Sequence, residues 1–182
     1  MPAYAYALLA VAWISWLTPF FLAQRQKQTA RVVDRRARWG MLLMAIAYSL
    51  LWQGKFWLQP LPGWRIALGV LFLILASVLS WSGARALGRQ WRMDAGLNSD
   101  HQLIRSGPYR FVRHPIYASM FSILLGTGFV LTSKWLFIAA VGVFITGAEI
   151  RVRVEDKLLG SHFGAEFQNY QHSVSAYIPF VR

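Results

Sequence analysis

From Pro2 to Ala23 the chain carries no charged side chain. A stretch of that kind is long enough to cross a hydrocarbon core, which takes about 20 helical residues. No basic residue precedes it and it is long for the apolar part of a cleaved leader, so it is expected to remain as a span. Thr18-Pro19 predicts a kink near its end. Four further apolar runs follow. The second, Trp39 to Leu58, is interrupted late by Gln53 and Lys55, and Lys55 can reach the interface by snorkelling. The third, Trp64 to Gly83, comes after the turn Gln59-Pro60-Leu61-Pro62-Gly63. The fourth and fifth, Ile116 to Leu131 and Trp135 to Ile150, are separated only by Thr132, Ser133 and Lys134, which predicts a tight helical hairpin. Each arm is near the lower length limit, so the pair either crosses fully or re-enters. Gly126, Gly128, Gly142 and Gly147 are expected to bring the two arms together.

Composition agrees. Of 182 residues, 56% are hydrophobic and only 14% charged, against about 25% charged in a soluble domain. Nine Trp, twelve Phe and seven Tyr suit a lipid interface. A disordered or acidic protein is excluded. The formal charge of +12 would suggest nucleic acid in a soluble chain, but here the basic residues lie between apolar runs. That placement fits cytoplasmic loops attracted to anionic membrane lipids, with no nucleic-acid partner. The absence of Cys excludes disulfides, thiolate nucleophiles and Cys-ligated metals, and no metal is expected.

Orientation follows from the loops. Segment 24–38 holds Arg25, Lys27, Arg31, Arg35, Arg36 and Arg38 against Asp34. Segment 84–114 holds Arg85, Arg89, Arg92, Arg105, Arg110 and Arg113 against Asp94 and Asp100. The connection between runs two and three offers only Lys55 and Arg65. Both basic loops are therefore expected in the cytoplasm and the N-terminus outside. Five crossings place the tail from Arg151 in the cytoplasm as well. In that tail Leu159, Phe163, Phe167 and Tyr170 share a helical face, and Gly160 and Gly164 predict a bend. The expected fold is all-α: a polytopic membrane protein of about five transmembrane helices, with a hairpin of helices four and five and a cytoplasmic C-terminal helical segment. Residues 1–83 form three spans and 84–182 a catalytic region of the same integrated domain.

Most side chains capable of chemistry fall in 84–117 and 149–170, which the hairpin joins at the membrane face. A pocket there suits an enzyme joining an apolar substrate to a soluble cofactor. It equally suits a lipid-binding scaffold. Gly107-Pro108 reads as a turn, and Pro115 as the first turn of a helix whose free N–H groups favour an anion. Taken alone, His114 and Tyr117 also read as interfacial anchors. Arg151 and Glu155 share a helical face and read equally as a solvated ion pair. Glu149, set against an apolar run, is less bland.

The pattern His101-x-Leu103-Ile104-x-x-Gly107-x-Tyr109, then Arg113-His114-Pro115-x-Tyr117, resembles the isoprenylcysteine carboxyl methyltransferase family. So do Arg151, Glu155 and Asp156 followed by Phe163-Gly164-x-Glu166-Phe167-x-x-Tyr170 and Ile178-Pro179-Phe180. These integral-membrane enzymes use S-adenosyl-L-methionine and are related to phospholipid N-methyltransferases. The likeness covers about the C-terminal half. It implies that His101, Leu103 and Ile104 approach the cofactor, that Gly107, Tyr109, His114, Pro115, Ile116 and Tyr117 belong to its pocket, and that Glu155 accepts hydrogen bonds from it. It also implies that Arg151 orients the carboxylate of a lipophilic acceptor, a prenylated cysteine. Three departures stand out. Glu155-Asp156 replaces a pair of glutamates, Phe167 replaces a tyrosine, and the family's upstream glutamine has no clear counterpart around Asp94.

Methyl transfer from a sulfonium needs mainly alignment. A carboxylate acceptor is already ionised at neutral pH. An ammonium acceptor must first lose a proton, for which His114, Glu149 and Glu155 are candidates. An amine N-methyltransferase, a membrane sterol-type reductase and a non-enzymatic lipid-binding protein are the alternatives.

Overall fold

The five apolar runs all fold as helices. The computed structural model describes residues 2–24, 32–53, 61–92, 95–97 and 102–177. Three helices are long and apolar enough to cross a membrane: α1 (Ala3–Gln24), α3 (Gly63–Leu87) and α5 (Lys134–Phe163). Two shorter apolar helices, α2 (Ala37–Leu51) and α4 (Pro115–Leu131), have 15 and 17 residues. At 1.5 Å per residue they are about 22 and 26 Å long, short of a hydrocarbon core of about 30 Å. A last helix, α6 (Ala165–Ser173), follows α5. Among the described residues the paired strands are β1 (Val32–Val33) and β2 (Gly96–Leu97), antiparallel and two residues each. This is an all-α integral membrane protein.

The helix from the second run ends at Leu51 rather than reaching Leu58. Its last turn tightens, with Trp52 N donating to the Ser49 carbonyl at 3.2 Å and Gln53 N to the Leu50 carbonyl at 3.3 Å, while Gln53 Nε2 also folds back onto Ser49 at 3.2 Å. Lys55 lies outside the described residues. The fifth helix does not stop at Ile150. The i,i+4 pairs Glu149–Arg153 and Arg151–Glu155 carry it onward. It runs unbroken through Gly160, and the expected interruption comes at Gly164, whose φ of 55° lies in the left-handed region. The expected common face is thus divided, with Phe167 and Tyr170 buried on α6.

Packing also differs from expectation. The arms of the hairpin, joined through Thr132 and Ser133, do not lie closely along each other; α4 packs on α3, and α5 on α2. A Cβ at Gly126 would stand 2.7 Å from Leu73 of α3, and one at Gly147 would stand 2.7 Å from the Gly40 carbonyl of α2. Gly142 faces open space, and only Gly128, against Phe137 near the turn, serves the hairpin. Higher up, the arms are bridged by bulk, with Phe121 and Phe144 stacked at 5.5 Å. Two core clusters result. One joins α1, α3 and α4 through Trp16, Leu73 and Ile123; the other joins α2, α4 and α5 through Met44, Leu124 and Phe144.

Polar side chains fasten the bundle. Helix α1 continues through Pro19, whose missing N–H leaves the Ser15 carbonyl without a helical donor. Trp81 Nε1 of α3 supplies one at 3.0 Å. Trp13 and Trp16 donate their indole N–H groups to Thr127 and Ser119 of α4. At the other end of the bundle, Arg65 donates to the carbonyls of Phe129 and Thr132, while Thr132 Oγ1 donates to Leu51. The opposite end, where α3 finishes and α4 begins, carries β1, β2 and the residues that the sequence marks as chemical.

Candidate active site

The segment before α4 is held from three directions. Gly107, at φ 60°, opens a 3-10 turn, Gly107–Arg110, that only glycine enters without strain. Tyr170 of α6 donates its hydroxyl to the Tyr109 carbonyl at 2.5 Å. The tail after α6 then runs beside 112–114: Arg113 N donates to Ser175 O at 2.8 Å and His114 N to Ala176 O at 3.0 Å. Pro115 occupies the first turn of α4, where it costs no hydrogen bond. Each of these contacts fixes the direction in which His114 and Tyr117 leave the backbone.

Those two side chains meet the stretch of α5 beyond Ile150. His114 Nε2 is 2.9 Å from Asp156 Oδ1, and Nδ1 is 3.6 Å from Glu155 Oε2. Burial alone would lower the imidazole pKa, but the hydrogen bonding and negative charge of Asp156 and Glu155 outweigh it and raise the value above the ordinary one. Tyr117 donates its hydroxyl to Glu155 Oε1 and accepts from Arg151 Nε at 2.5 Å. Arg151 Nη2 closes the triangle on Glu155 at 3.0 Å. Arg113 binds Asp156 at 3.0 Å through Nη2 and the Gln171 carbonyl at 3.2 Å through Nη1. Burial, with the Glu155 charge second, pushes the Tyr109 phenol well above its ordinary range, so it stays neutral.

A cavity of about 150 Å³ opens between this network and the end of α3. A single water needs roughly a tenth of that room, so the space is of small-molecule size. Leu103, Ile104, Tyr109, His114, Ile116, Tyr117 and Glu155 line it, bringing together residues from both chemical segments. Gly107 and Pro115 shape the wall without lining it. Arg151 does not line it either: it is 4% exposed and bonded to Tyr117 and Glu155, so it is not the solvated ion pair that its spacing also allowed. His101, Asp94 and Ile178-Pro179-Phe180 lie outside the described residues.

The cavity also draws in residues that the sequence reading missed. Gln90 lines it, four positions before Asp94, and its Oε1 accepts from Gln102 N at 3.1 Å. The available signal was Gly88, whose φ of 51° ends α3 and starts the 3-10 turn that presents Gln90. Ala95 and Gly96 form another part of the wall, steadied by the pairing of β2 with β1. Asp156 stands where a second glutamate was expected and binds His114, Arg113 and Gln171.

The phospholipid methyltransferase family model matches residues 64–166. The chain is 30% identical over 116 residues to the protein-S-isoprenylcysteine O-methyltransferase of Saccharomyces cerevisiae, covering 63% of this chain and 48% of that protein. It is 28% identical over 120 residues to the Tribolium castaneum protein of the same name, covering 65% and 43%. Over 147 residues it is 29% identical to the cobalt-zinc-cadmium resistance protein CzcN of Cupriavidus metallidurans, covering 78% and 62%. The chain thus spans less than two thirds of the length of each of these relatives. The match runs over more than half of the chain and through the stretch that supplies most of the cavity wall, and on that ground the protein belongs to the phospholipid methyltransferase family.

Proposed function

We propose that the protein is an S-adenosyl-L-methionine-dependent methyltransferase acting at the cytoplasmic membrane face on a lipophilic acceptor, the α-carboxylate of a prenylated cysteine. The observation that carries this reading is the cavity that unites Tyr109, His114 and Tyr117 with Glu155 inside the stretch matched by the family. The basic residues around that end of the bundle support its cytoplasmic placement.

The lining fits the cofactor's chemistry. Ile104, Ile116, Leu158 and Phe167 offer an apolar bed for a heterocycle, while Gln90, Gln102 and Glu155 offer partners for hydroxyl and amino groups. When bound, S-adenosyl-L-methionine supplies an already activated methyl group, so the protein's work is alignment. Glu155 accepts from the cofactor's polar end and is aimed by Tyr117 and Arg151. Arg151, buried behind Tyr117 and Glu155, bears on the acceptor carboxylate through the Tyr117 hydroxyl that it holds, and that carboxylate needs no general base.

A second reading, methylation of an amine, has one specific support. Glu149, with its side chain 44% exposed, accepts from Tyr177 at 3.2 Å and is paired with Arg153 at 2.7 Å, a carboxylate that an ammonium acceptor would have to share with that arginine. His114 is less suited to that role, since the hydrogen bonds and charge of its two carboxylate neighbours raise its pKa and favour the protonated form.

The test uses purified protein in detergent with radiolabelled cofactor, offered a small prenylcysteine and an aminophospholipid side by side. Methyl transfer to the prenylcysteine, lost in Glu155→Ala and His114→Ala, is the expected result. Transfer to the aminophospholipid alone selects the second reading. No cofactor binding at all sinks both.

A further inference from the structure

Helix α2 lies outside the stretch 64–166 that the family model matches, yet one of its residues reaches the polar network. A Cβ built at Gly40 would stand 2.6 Å from Arg151 Cγ and 2.5 Å from the Gly147 carbonyl oxygen. Both separations are shorter than a real Cβ tolerates. A Cβ at Gly147 would meet the Gly40 carbonyl at 2.7 Å, Leu43 at 3.0 Å and Met44 at 3.1 Å, with no Arg151 atom among these nearest neighbours. The two glycines share one helix crossing, but of their nearest contacts only those of Gly40 include the arginine side chain.

The arginine is thereby gripped at both ends. Its stem lies against the α2 backbone at Gly40, and its head is bonded to Tyr117 of α4 and to Glu155 one turn further along α5. A free arginine stem has several torsions, and this packing removes most of that freedom. The guanidinium plane is fixed only while all three surfaces hold. An extra methyl on α2 would push on Cγ, three bonds short of the guanidinium carbon, and tilt the fork away from the Tyr117 hydroxyl.

We infer that Gly40 is a positioning residue for Arg151, holding its guanidinium in the orientation that aims the Tyr117 hydroxyl and Glu155 at the acceptor side of the cavity. The inference rests on the acceptor-orienting role given to Arg151 under the proposed function. It extends the site to a helix that carries none of the family's matched residues.

The experiment compares Gly40→Ala, Gly147→Ala, Arg151→Ala and the Gly40→Ala/Arg151→Ala double variant, each as the full chain in detergent. Gly40→Ala is expected to raise the acceptor KM about tenfold or more, with cofactor affinity changed by less than about threefold. Gly147→Ala, which strains the same crossing, should change the acceptor KM by less than about threefold. In the Arg151→Ala background, the Gly40→Ala change should add nothing further. Equal losses in the two glycine variants, or additive losses in the double variant, overturn the inference.

A readout independent of turnover separates this from the proposed function. With 3-fluorotyrosine incorporated at position 117, the fluorine resonance should move in Gly40→Ala as it does in Arg151→Ala, and stay in place in Gly147→Ala. A resonance unmoved by Gly40→Ala overturns the positioning role even if the enzyme is active. A wild-type protein without methyl transfer counts against the proposed function, and the fluorine comparison still decides the positioning. Should Gly40→Ala not fold, the double variant, which lacks Cγ, recovers folding if the arginine contact is the cause; failure to recover assigns the effect to the crossing and overturns the inference.

Discussion

His114 and Asp156 face each other at 2.9 Å, Nε2 against Oδ1, with the histidine 6% exposed. The pair ties the first turn of α4 to α5 at the level where α5 leaves the apolar part of the bundle. Asp156 is in turn held by Arg113 and Gln171, so one carboxylate gathers the start of α4, the body of α5 and the end of α6. Such a carboxylate does structural work even where it touches no ligand.

The pairing sets a pH dependence. The His114 pKa is raised in the folded protein, so its stabilising contribution is complete below the unfolded value of about 6.5 and is lost as pH rises through the folded value. Thermal unfolding in detergent should therefore show a loss of stability on the alkaline side that is absent from His114→Gln. A wild-type profile that gains stability through that range would contradict the assignment.

Tyr117→Phe removes one hydroxyl that serves two charged partners, Arg151 and Glu155. The predicted loss in kcat/KM is roughly ten- to a hundredfold, corresponding to about 1.5–3 kcal/mol for a hydrogen bond to a charged group. Initial rates with saturating cofactor measure it. A loss below about twofold would mean that the hydroxyl is dispensable.

Gln90→Leu should weaken cofactor binding about tenfold, the equivalent of 1.4 kcal/mol, because the side chain lines the cavity and holds the Gln102 backbone. Titration calorimetry gives the dissociation constant. An unchanged constant would remove Gln90 from the site.

Trp81→Phe strands the Ser15 carbonyl left over by Pro19, at a cost of about 1–3 kcal/mol. Restoring the missing donor with Pro19→Ala should make the same tryptophan change nearly neutral. Unfolding measurements on the two single variants and the double variant compare these costs. Equal costs in both backgrounds would show that the indole matters only for packing.

The sequence is most informative where the signal is local. Five apolar runs announce five helices because about 20 consecutive side chains report on one environment. The motif around His114 is legible because Pro115 and Gly107 mark the turns that aim it. Partnership between helices is not local: Gly126, Gly142 and Gly147 look alike in the chain, yet they face α3, open space and α2. Arg151 shows the same gap. Its i,i+4 spacing to Glu155 is visible, but its close approach to Gly40, more than a hundred residues earlier, is not. Gln90 escapes notice because its position follows from a left-handed glycine two residues before it.

The helices are paired α3 with α4 and α2 with α5, and a two-residue link joins one pair to the other. Tyr117 belongs to the first pair, and Arg151 and Glu155 to the second. The hydroxyl therefore bridges the two halves, and a mismatch between bilayer thickness and helix length is a load that acts on how they tilt. For the proposed reaction, turnover in vesicles of graded acyl chain is therefore expected to vary with lipid length.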